Sequence, residues 1–142
     1  MTNRVSFEGG FDAVYGLELE SHSAEPSDIV RGRVRVVPEV LTRAGGVSLG
    51  VLASIAEALA SRGTALAVLP QGKRALGMSN DTSVVHVIDG GTVHSEARVL
   101  ARDGDIWLWA VEHRNDEDRV CAFSRVTVAV RAPSGSEGTG RK

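Results

Sequence analysis

The sequence predicts an α+β domain in which one antiparallel sheet packs against a single long helix. From Leu49 to about Val68, the larger apolar side chains recur on one stripe of a helix. Most of the remaining chain alternates apolar and polar residues, as half-buried strands do. Short turn-like sequences separate the strands in the second half, which favours antiparallel neighbours. One striped helix and one such sheet give a two-layer domain.

The elements before the long helix are short. They are, in order, a helical turn closed by glycine, two alternating strands and a connector: Phe11 to Gly16, Leu17 to Ser23, Ile29 to Val37 and Pro38 to Val47. The second strand places Arg31, Arg33 and Arg35 on one face, which we interpret as a solvated face rather than a phosphate or RNA site.

The long helix has a recognisable beginning and end. Ser48 is suited to cap its N-terminus, and Pro70-Gln71-Gly72 ends it. Its apolar stripe occupies about a third of a turn at 100° per residue. The stripe consists of Val51, Leu52, Ile55, Leu59 and Leu66.

Four strands are predicted after the helix: Arg74 to Ile88, Thr92 to Ala101, Ile106 to Arg114 and Arg119 to Arg131. Turn-forming residues separate them, beginning with Asp89-Gly90-Gly91. We therefore expect consecutive strands to be neighbours in the sheet. Trp107 and Trp109 share one strand face and Cys121 lies in an apolar strand, so all three are expected to be buried.

Length and composition exclude several classes of protein. The 142 residues suit one domain, which we place at 11–131, with a flexible start at 1–10 and a disordered Gly/Ser-rich tail at 132–142. A net charge of −2 gives no reason to expect nucleic acid or an anionic membrane as partner. Cys121 is the only cysteine, so no disulfide forms within the chain and a reducing, cytoplasmic compartment fits.

No uninterrupted apolar run reaches the roughly 20 residues that a membrane span needs, and the first ten residues do not read as a signal peptide. The histidines, His22, His86, His94 and His113, lack the spacing of a metal site. No metal and no cofactor are therefore expected.

The side of the helix opposite its apolar stripe is unusual. It carries small residues around one carboxylate: Gly50, Ala53, Ser54, Glu57, Ser61 and Thr64. Small residues let a backbone or ligand approach, and a carboxylate among them is suited to base chemistry. Periodicity alone favours the simpler interpretation that Glu57 is a solvated helical residue.

Two segments carry a family resemblance. Gly45 to Ser61, with Glu57 two turns into the helix, and the downstream Gly77-Met78-Ser79-Asn80-Asp81-Thr82-Ser83 resemble the hotdog-fold acyl-CoA thioesterases. The nearest likeness is to the 4-hydroxybenzoyl-CoA and phenylacetate-pathway type enzymes. The resemblance covers roughly Phe11 to Arg131 and implies a sheet wrapped around the central helix.

The resemblance also implies roles for individual residues. Glu57 matches the catalytic carboxylate, as general base or nucleophile, and Ser61 matches a hydroxyl that places the attacking water. The N–H groups of Leu49 and Gly50 would form the oxyanion hole, since a helix N-terminus presents unpaired donors. Where the family has His-Gly-Gly this chain has Ser48-Leu49-Gly50, so Ser48 takes the place of a substrate-positioning histidine.

The remaining implied contacts concern the substrate and the assembly. Asn80 and Ser79 fall where the family lines its acyl pocket. Arg102, in a turn similar to the family's, is a candidate contact for a phosphate of coenzyme A. The resemblance implies homodimers, paired into tetramers, with sites at the interface. The altered Ser48-Leu49 motif keeps a second interpretation open, a module that binds acyl-CoA-like ligands with little or no turnover.

Overall fold

The computed structural model describes residues 10–20 and 26–133. Two helices and six strands make up the fold: α1 (Phe11–Val14), β1 (Glu18–Leu19), β2 (Ile29–Arg35), α2 (Leu49–Val68), β3 (Arg74–Val84), β4 (Thr92–Asp103), β5 (Ile106–Arg114) and β6 (Val120–Arg131). Short 3-10 helices at Pro38–Val40 and Leu69–Gln71 flank α2. The strands form one antiparallel sheet in the order β1-β2-β4-β5-β6-β3. This sheet curls around α2, which confirms the predicted hotdog architecture.

Helix α2 has the predicted bounds, and its ends confirm the predicted signals. The Ser48 side chain accepts a hydrogen bond from the backbone N–H of Gly50 at 3.2 Å, so Ser48 is the N-cap. The helix runs on into the turn that contains Pro70, and Gly72 follows it in the left-handed conformation that favours glycine, with φ 68°.

The core lies between α2 and the inner face of the sheet. Leu52, Ile55 and Leu59 of the predicted stripe are buried, whereas Val51 and Leu66 are half-buried. Alanines on other sides of α2 are buried as well, because the sheet wraps the helix rather than covering one face. A side chain of alanine lets a strand approach closely on each side.

The two tryptophans are buried in that core, as predicted. Their rings stack with centroids 6.3 Å apart, and Trp109 Nε1 donates to Thr64 Oγ1 on α2 at 2.9 Å. Trp109 packs directly on Gly63, where a Cβ would lie 2.7 Å from Trp109 Cζ2 and closer still to its Cη2. Cys121 is also buried, as expected of an inert thiol.

One prediction about strand order is wrong. β3 and β4 are consecutive in sequence but lie at different places in the sheet, since β3 pairs only with β6 at one edge. β3 ends at Val84, before the predicted end at Ile88, and residues 85–91 cross to the other side of the sheet. Backbone bonds fix this crossing segment, with Val47 donating to the carbonyl of Ile88 at 2.8 Å.

The first predicted strand is also shorter than expected. Of Leu17 to Ser23, only Glu18–Leu19 forms a strand, and residues 21–25 lie outside the described part. On the outer face of β2, Arg31 and Arg33 pair with Glu96 and Glu18. This pairing agrees with a solvated face.

The segment Leu49–Gln71 is long and apolar enough to cross a membrane by length and composition alone. In this fold it is the core helix, enclosed by the sheet. The predicted tails fall largely outside the described residues, so the boundaries of the domain remain predictions.

Candidate active site

A cavity of about 410 Å³ opens between the first half of α2 and strand β3. The helix contributes one side of it and the strand contributes the other. Its lining residues are Leu49, Ala53, Ser54, Glu57, Asn80, Asp81 and Thr82. Of the small residues that the sequence places around Glu57, Ala53 and Ser54 therefore face a ligand-sized space.

Glu57 is an exposed carboxylate held against a glycine. A Cβ at Gly77 of β3 would lie 2.9 Å from Glu57 Oε1 and 3.1 Å from its Cγ. Contacts that short require a shift, so the absence of a side chain at residue 77 creates the space that the carboxylate occupies. Glu57 therefore packs closely against β3 at Gly77.

A tyrosine directly after α1, Tyr15, lies near enough to the same carboxylate to interact with its charge. Tyr15 is buried, and its hydroxyl donates to Asp12 Oδ1 at 2.5 Å. Burial, this hydrogen bond and the charges of Asp12 and Glu57 all raise the pKa of the Tyr15 phenol above its usual range. The phenol stays protonated, and its proton is committed to Asp12.

The N-terminus of α2 offers two backbone donors of different status. The N–H of Gly50 is bound to Ser48 Oγ. The N–H of Leu49 has no hydrogen-bond partner among the residues that the structure describes. Leu49 lines the cavity, so its N–H is the donor available to a developing negative charge at the start of α2.

Asn80 joins the strand to the helix at the wall of the cavity. Its Nδ2 donates to the carbonyl oxygen of Ala53 at 2.9 Å, and its Oδ1 accepts from Thr82 Oγ1 at 2.7 Å. An amide held at both ends has a fixed orientation. Because Ala53 O is an acceptor, the nitrogen and not the oxygen of the amide must face it.

The structure brings only some of the predicted site residues together. Glu57, Leu49 and Asn80 share the cavity, and Ser48 and Gly50 lie beside it at the helix terminus. Ser61 is one turn beyond Glu57 on α2 but is not among the residues that line the cavity. Its Oγ is buried with no hydrogen-bond partner among the described residues.

Two predicted substrate contacts lie elsewhere in the protomer. Ser79 is exposed, pairs with Thr127 across the sheet and is not among the residues that line the cavity. Arg102 belongs to β4, three strands from β3 in the sheet order. It pairs with Asp28, and its guanidinium stacks 4.0 Å from the centre of the Trp107 ring.

Helical periodicity groups Thr64 with Glu57, and this placement is wrong. Thr64 is fully buried on the side of α2 that receives Trp109. The wrapped sheet buries a wider arc of the helix than a flat sheet would. The residues of α2 that line the cavity are Leu49, Ala53, Ser54 and Glu57.

Sequence reasoning missed three contributors to the site: Tyr15, Asp81 and Thr82. Asp81 and Thr82 directly follow Asn80 in the segment that carries the resemblance. Their position in that segment was a sequence signal that could have indicated a place in the site. Nothing in the pattern of Tyr15 pointed to Glu57, since α1 reaches α2 only through tertiary packing. Among the described residues, which exclude His22, no three His, Cys, Asp or Glu side chains are grouped so as to hold a metal ion.

Comparison with known proteins agrees with this architecture. No protein-family model matches the chain. A Haemophilus influenzae protein named "Putative esterase" is 25% identical over 115 residues, which is 81% of this chain and 80% of that protein. A solved Mycobacterium tuberculosis structure, also titled as a putative esterase, is 30% identical with a TM-score of 0.77, covering 83% of this chain and 93% of that one.

A thioesterase structure from Haemophilus influenzae superposes with a TM-score of 0.79 at 21% identity, covering 89% of this chain and 85% of that one. The wrapped sheet and the helix-to-strand cavity therefore define a hotdog-fold protein. The chain belongs to the same family as the 30% identical Mycobacterium tuberculosis protein, a family of hotdog-fold hydrolases named as putative esterases.

Proposed function

We propose that the chain hydrolyses an acyl-CoA or aryl-CoA thioester to the free acid and coenzyme A, with Glu57 as the catalytic carboxylate. One observation carries the proposal: Glu57, which packs against Gly77, shares a cavity with Leu49, whose N–H has no partner among the described residues. A base and an oxyanion donor on one wall are the two groups that attack on a thioester requires.

The reaction balances by either of two routes. As general base, Glu57 takes a proton from water while the water oxygen attacks the carbonyl carbon. The tetrahedral oxyanion then collapses, the C–S bond breaks, and the proton passes to the leaving sulfur. As nucleophile, Glu57 attacks the carbonyl itself, releases the thiolate and forms a mixed anhydride, which water then hydrolyses.

The helix N-terminus would stabilise the oxyanion in both routes. The N–H of Leu49 is available at once, whereas that of Gly50 becomes available only when the Ser48 hydroxyl turns away from it. Ser48 therefore controls the second donor, in the position where the resembling family has histidine.

Ser61 is suited to hold the water. Its Oγ is buried and has no partner among the described residues, and it lies one turn beyond Glu57. A buried hydroxyl without a partner costs free energy, and a bound water or substrate atom would satisfy it.

The other proposed contacts depend on assembly. We propose a cytoplasmic homodimer, pairing into a tetramer, in which Arg102 of one subunit reaches a coenzyme A phosphate at a site between subunits and Ser79 helps to line the acyl pocket. Within one protomer neither residue lines the cavity. We therefore place their contacts with the substrate at a site between subunits.

The cap at Gly50 favours a second candidate function. If Ser48 keeps the Gly50 N–H occupied, a single donor faces the oxyanion and the chain binds acyl-CoA-like ligands with little turnover. Loss of one oxyanion-hole donor lowers kcat by about 10²–10³-fold in enzymes that depend on two.

Thiol release from a panel of aryl-, short-chain and medium-chain acyl-CoAs separates the two candidates. Binding of the matching non-hydrolysable thioether analogues is measured by calorimetry on the same protein. The proposal expects saturable thiol release on at least one substrate. Binding without release on every substrate would establish the binding module instead, and neither binding nor release would contradict both.

A further inference from the structure

A row of polar side chains crosses the inner face of the sheet, next to the apolar core. Ser95 of β4 lies opposite His113 of β5, and Ser124 of β6 lies opposite Thr82 of β3. Ser95, His113 and Ser124 are buried, and Thr82 is half-buried. The proposed hydrolysis uses none of them directly, yet the row ends at Asn80 on the cavity wall.

Each neighbour in the row is within hydrogen-bond distance of the next. Ser95 Oγ lies 2.7 Å from His113 Nδ1, and His113 Nε2 lies 2.9 Å from Ser124 Oγ. Ser124 Oγ lies 2.7 Å from Thr82 Oγ1, which lies 2.7 Å from Asn80 Oδ1. The row is therefore one continuous chain of hydrogen bonds, four links long, from β4 to the cavity.

The direction of every link follows from its last member. Asn80 Oδ1 only accepts, so Thr82 must donate its single hydroxyl proton to it. Thr82 then accepts from Ser124, and Ser124 in turn accepts from His113 Nε2.

The ring of His113 is thereby assigned a tautomer. Its Nε2 carries the proton, and its Nδ1 accepts from the Ser95 hydroxyl. Burial lowers the pKa of His113 to about 4, so the ring is neutral near pH 7. A neutral ring, with one nitrogen donating and the other accepting, is what this row of hydrogen bonds requires. Hydrogen bonds aligned in one direction polarise one another, which stiffens the chain as a unit.

The far end of the chain faces the proposed substrate. One N–H of the Asn80 amide is bound to the Ala53 carbonyl, and the other has no partner among the described residues. Asn80 lines the cavity together with Glu57, so this second N–H is a donor at the place where a thioester carbonyl must come for attack.

We propose that His113 is a positioning residue for thioester hydrolysis, acting on Asn80 through the two hydroxyls between them. The ring does not touch substrate. It fixes the proton of Ser124, which fixes that of Thr82, and Thr82 holds the Asn80 amide with its second N–H toward the thioester carbonyl oxygen. This inference rests on the proposed function, because it assigns part of that active site.

Substitutions that remove single hydrogen bonds from the row between Ser95 and Asn80 test the proposal. Thr82→Val keeps the shape of the side chain but removes the bond to Asn80, and we expect kcat to fall about tenfold with KM changed less than about threefold. Thr82→Ser restores the hydroxyl and should restore kcat to within about twofold. Ser124→Ala disconnects His113 from Thr82, and we expect a fall in kcat of about fivefold.

The matched control is Thr127→Val. Thr127 lies on β6, opposite Ser79 and away from the cavity, and it should keep the kcat of the original chain. Melting curves accompany each variant, so that a fall in kcat is assigned to positioning only where the variant remains folded. Equal kcat in Thr82→Val, Ser124→Ala and Thr127→Val would overturn the proposal.

A nitrogen NMR spectrum of the histidine rings tests the assigned hydrogen-bond directions without any turnover of substrate. The proposal expects a neutral His113 with the proton on Nε2, and altered Asn80 side-chain amide signals in Thr82→Val. A proton on Nδ1, or a charged ring at pH 7, would overturn it even if no thioester is hydrolysed. Absence of thiol release from the unsubstituted chain would instead contradict the proposed function.

Discussion

At the scale of single residues, the fold treats its titratable side chains in opposite ways. Glu57 is exposed at the cavity and packs closely against Gly77 of β3. His113 is sealed in the sheet between two serine hydroxyls. The second arrangement keeps the ring of His113 neutral near pH 7, because burial lowers its pKa to about 4.

Burial of His113 predicts a loss of stability in acid. The folded pKa is about 4 and the unfolded value is about 6.5, so between these values only the unfolded chain takes up the proton. As pH falls through this window the free energy of unfolding should decrease, by about 3 kcal/mol in all. Urea unfolding at several pH values between 7.5 and 4 measures it.

His113→Gln is the comparison, because glutamine cannot take up that proton. Other groups titrate equally in both proteins, so the difference between their curves reports His113. The difference should be constant above pH 6.5 and should shrink as pH falls toward 4. Parallel curves throughout would show that His113 is not held neutral.

At the scale of elements, α2 could be predicted from the sequence and β3 could not be placed. The helix has a capping serine, a stripe of apolar residues and a glycine after its end, so local signals fix it. The sequence of β3 predicts a strand, but the strand with which it pairs is determined by the way the sheet curls around α2. No local signal in residues 85–91 distinguishes a hairpin from a crossing.

The same division applies to the candidate site. Glu57, Leu49 and Asn80 were predicted because they lie in the segments that carry the resemblance, on one helix and one strand. The hydrogen-bond chain behind Asn80 joins β4, β5, β6 and β3, and such pairing depends on register across four strands. Arg102 was placed by its turn alone, which does not specify the strands between it and the cavity.

Packing of β3 against α2 predicts a separation of activity from stability at Gly77. Gly77→Ala places a methyl group where Glu57 Cγ and Oε1 lie, and the flexible carboxylate can move while the strand stays. We expect kcat to fall about tenfold or more with a melting temperature near that of the original chain. Gly90→Ala is the control, since no heavy atom lies within 4 Å of the point where its methyl group would stand, and its activity should be unchanged. Unchanged kcat in Gly77→Ala would show that the packing of Glu57 against Gly77 does not matter for catalysis.

At the scale of the whole molecule, β3 forms one of the two edges of the sheet. β3 is hydrogen-bonded on one side only within the described chain. Apolar side chains on and just after it are exposed: Leu76, Met78, Val84, Val85 and Val87. An open apolar edge invites a second copy of the chain, and such edges are otherwise blunted by charge or cover.

A charge at this edge is therefore expected to break the proposed dimer. Met78→Glu should give a monomer in sedimentation equilibrium, because a carboxylate would be buried against the partner. Ile106→Glu is a matched change, since Ile106 is also exposed and lies in β5 away from the edge, and it should leave the dimer intact. A dimer that survives Met78→Glu would place the interface elsewhere.

The proposed function depends above all on the carboxylate of Glu57, which performs the hydrolysis. Glu57→Gln keeps the size and hydrogen-bonding reach of the side chain but removes the base and nucleophile. Thiol release at saturating substrate should fall by about 10²-fold or more, with binding of the thioether analogue retained. Glu39→Gln, at an exposed glutamate outside the cavity, should keep full activity. Undiminished thiol release by Glu57→Gln would show that Glu57 is not the catalytic carboxylate.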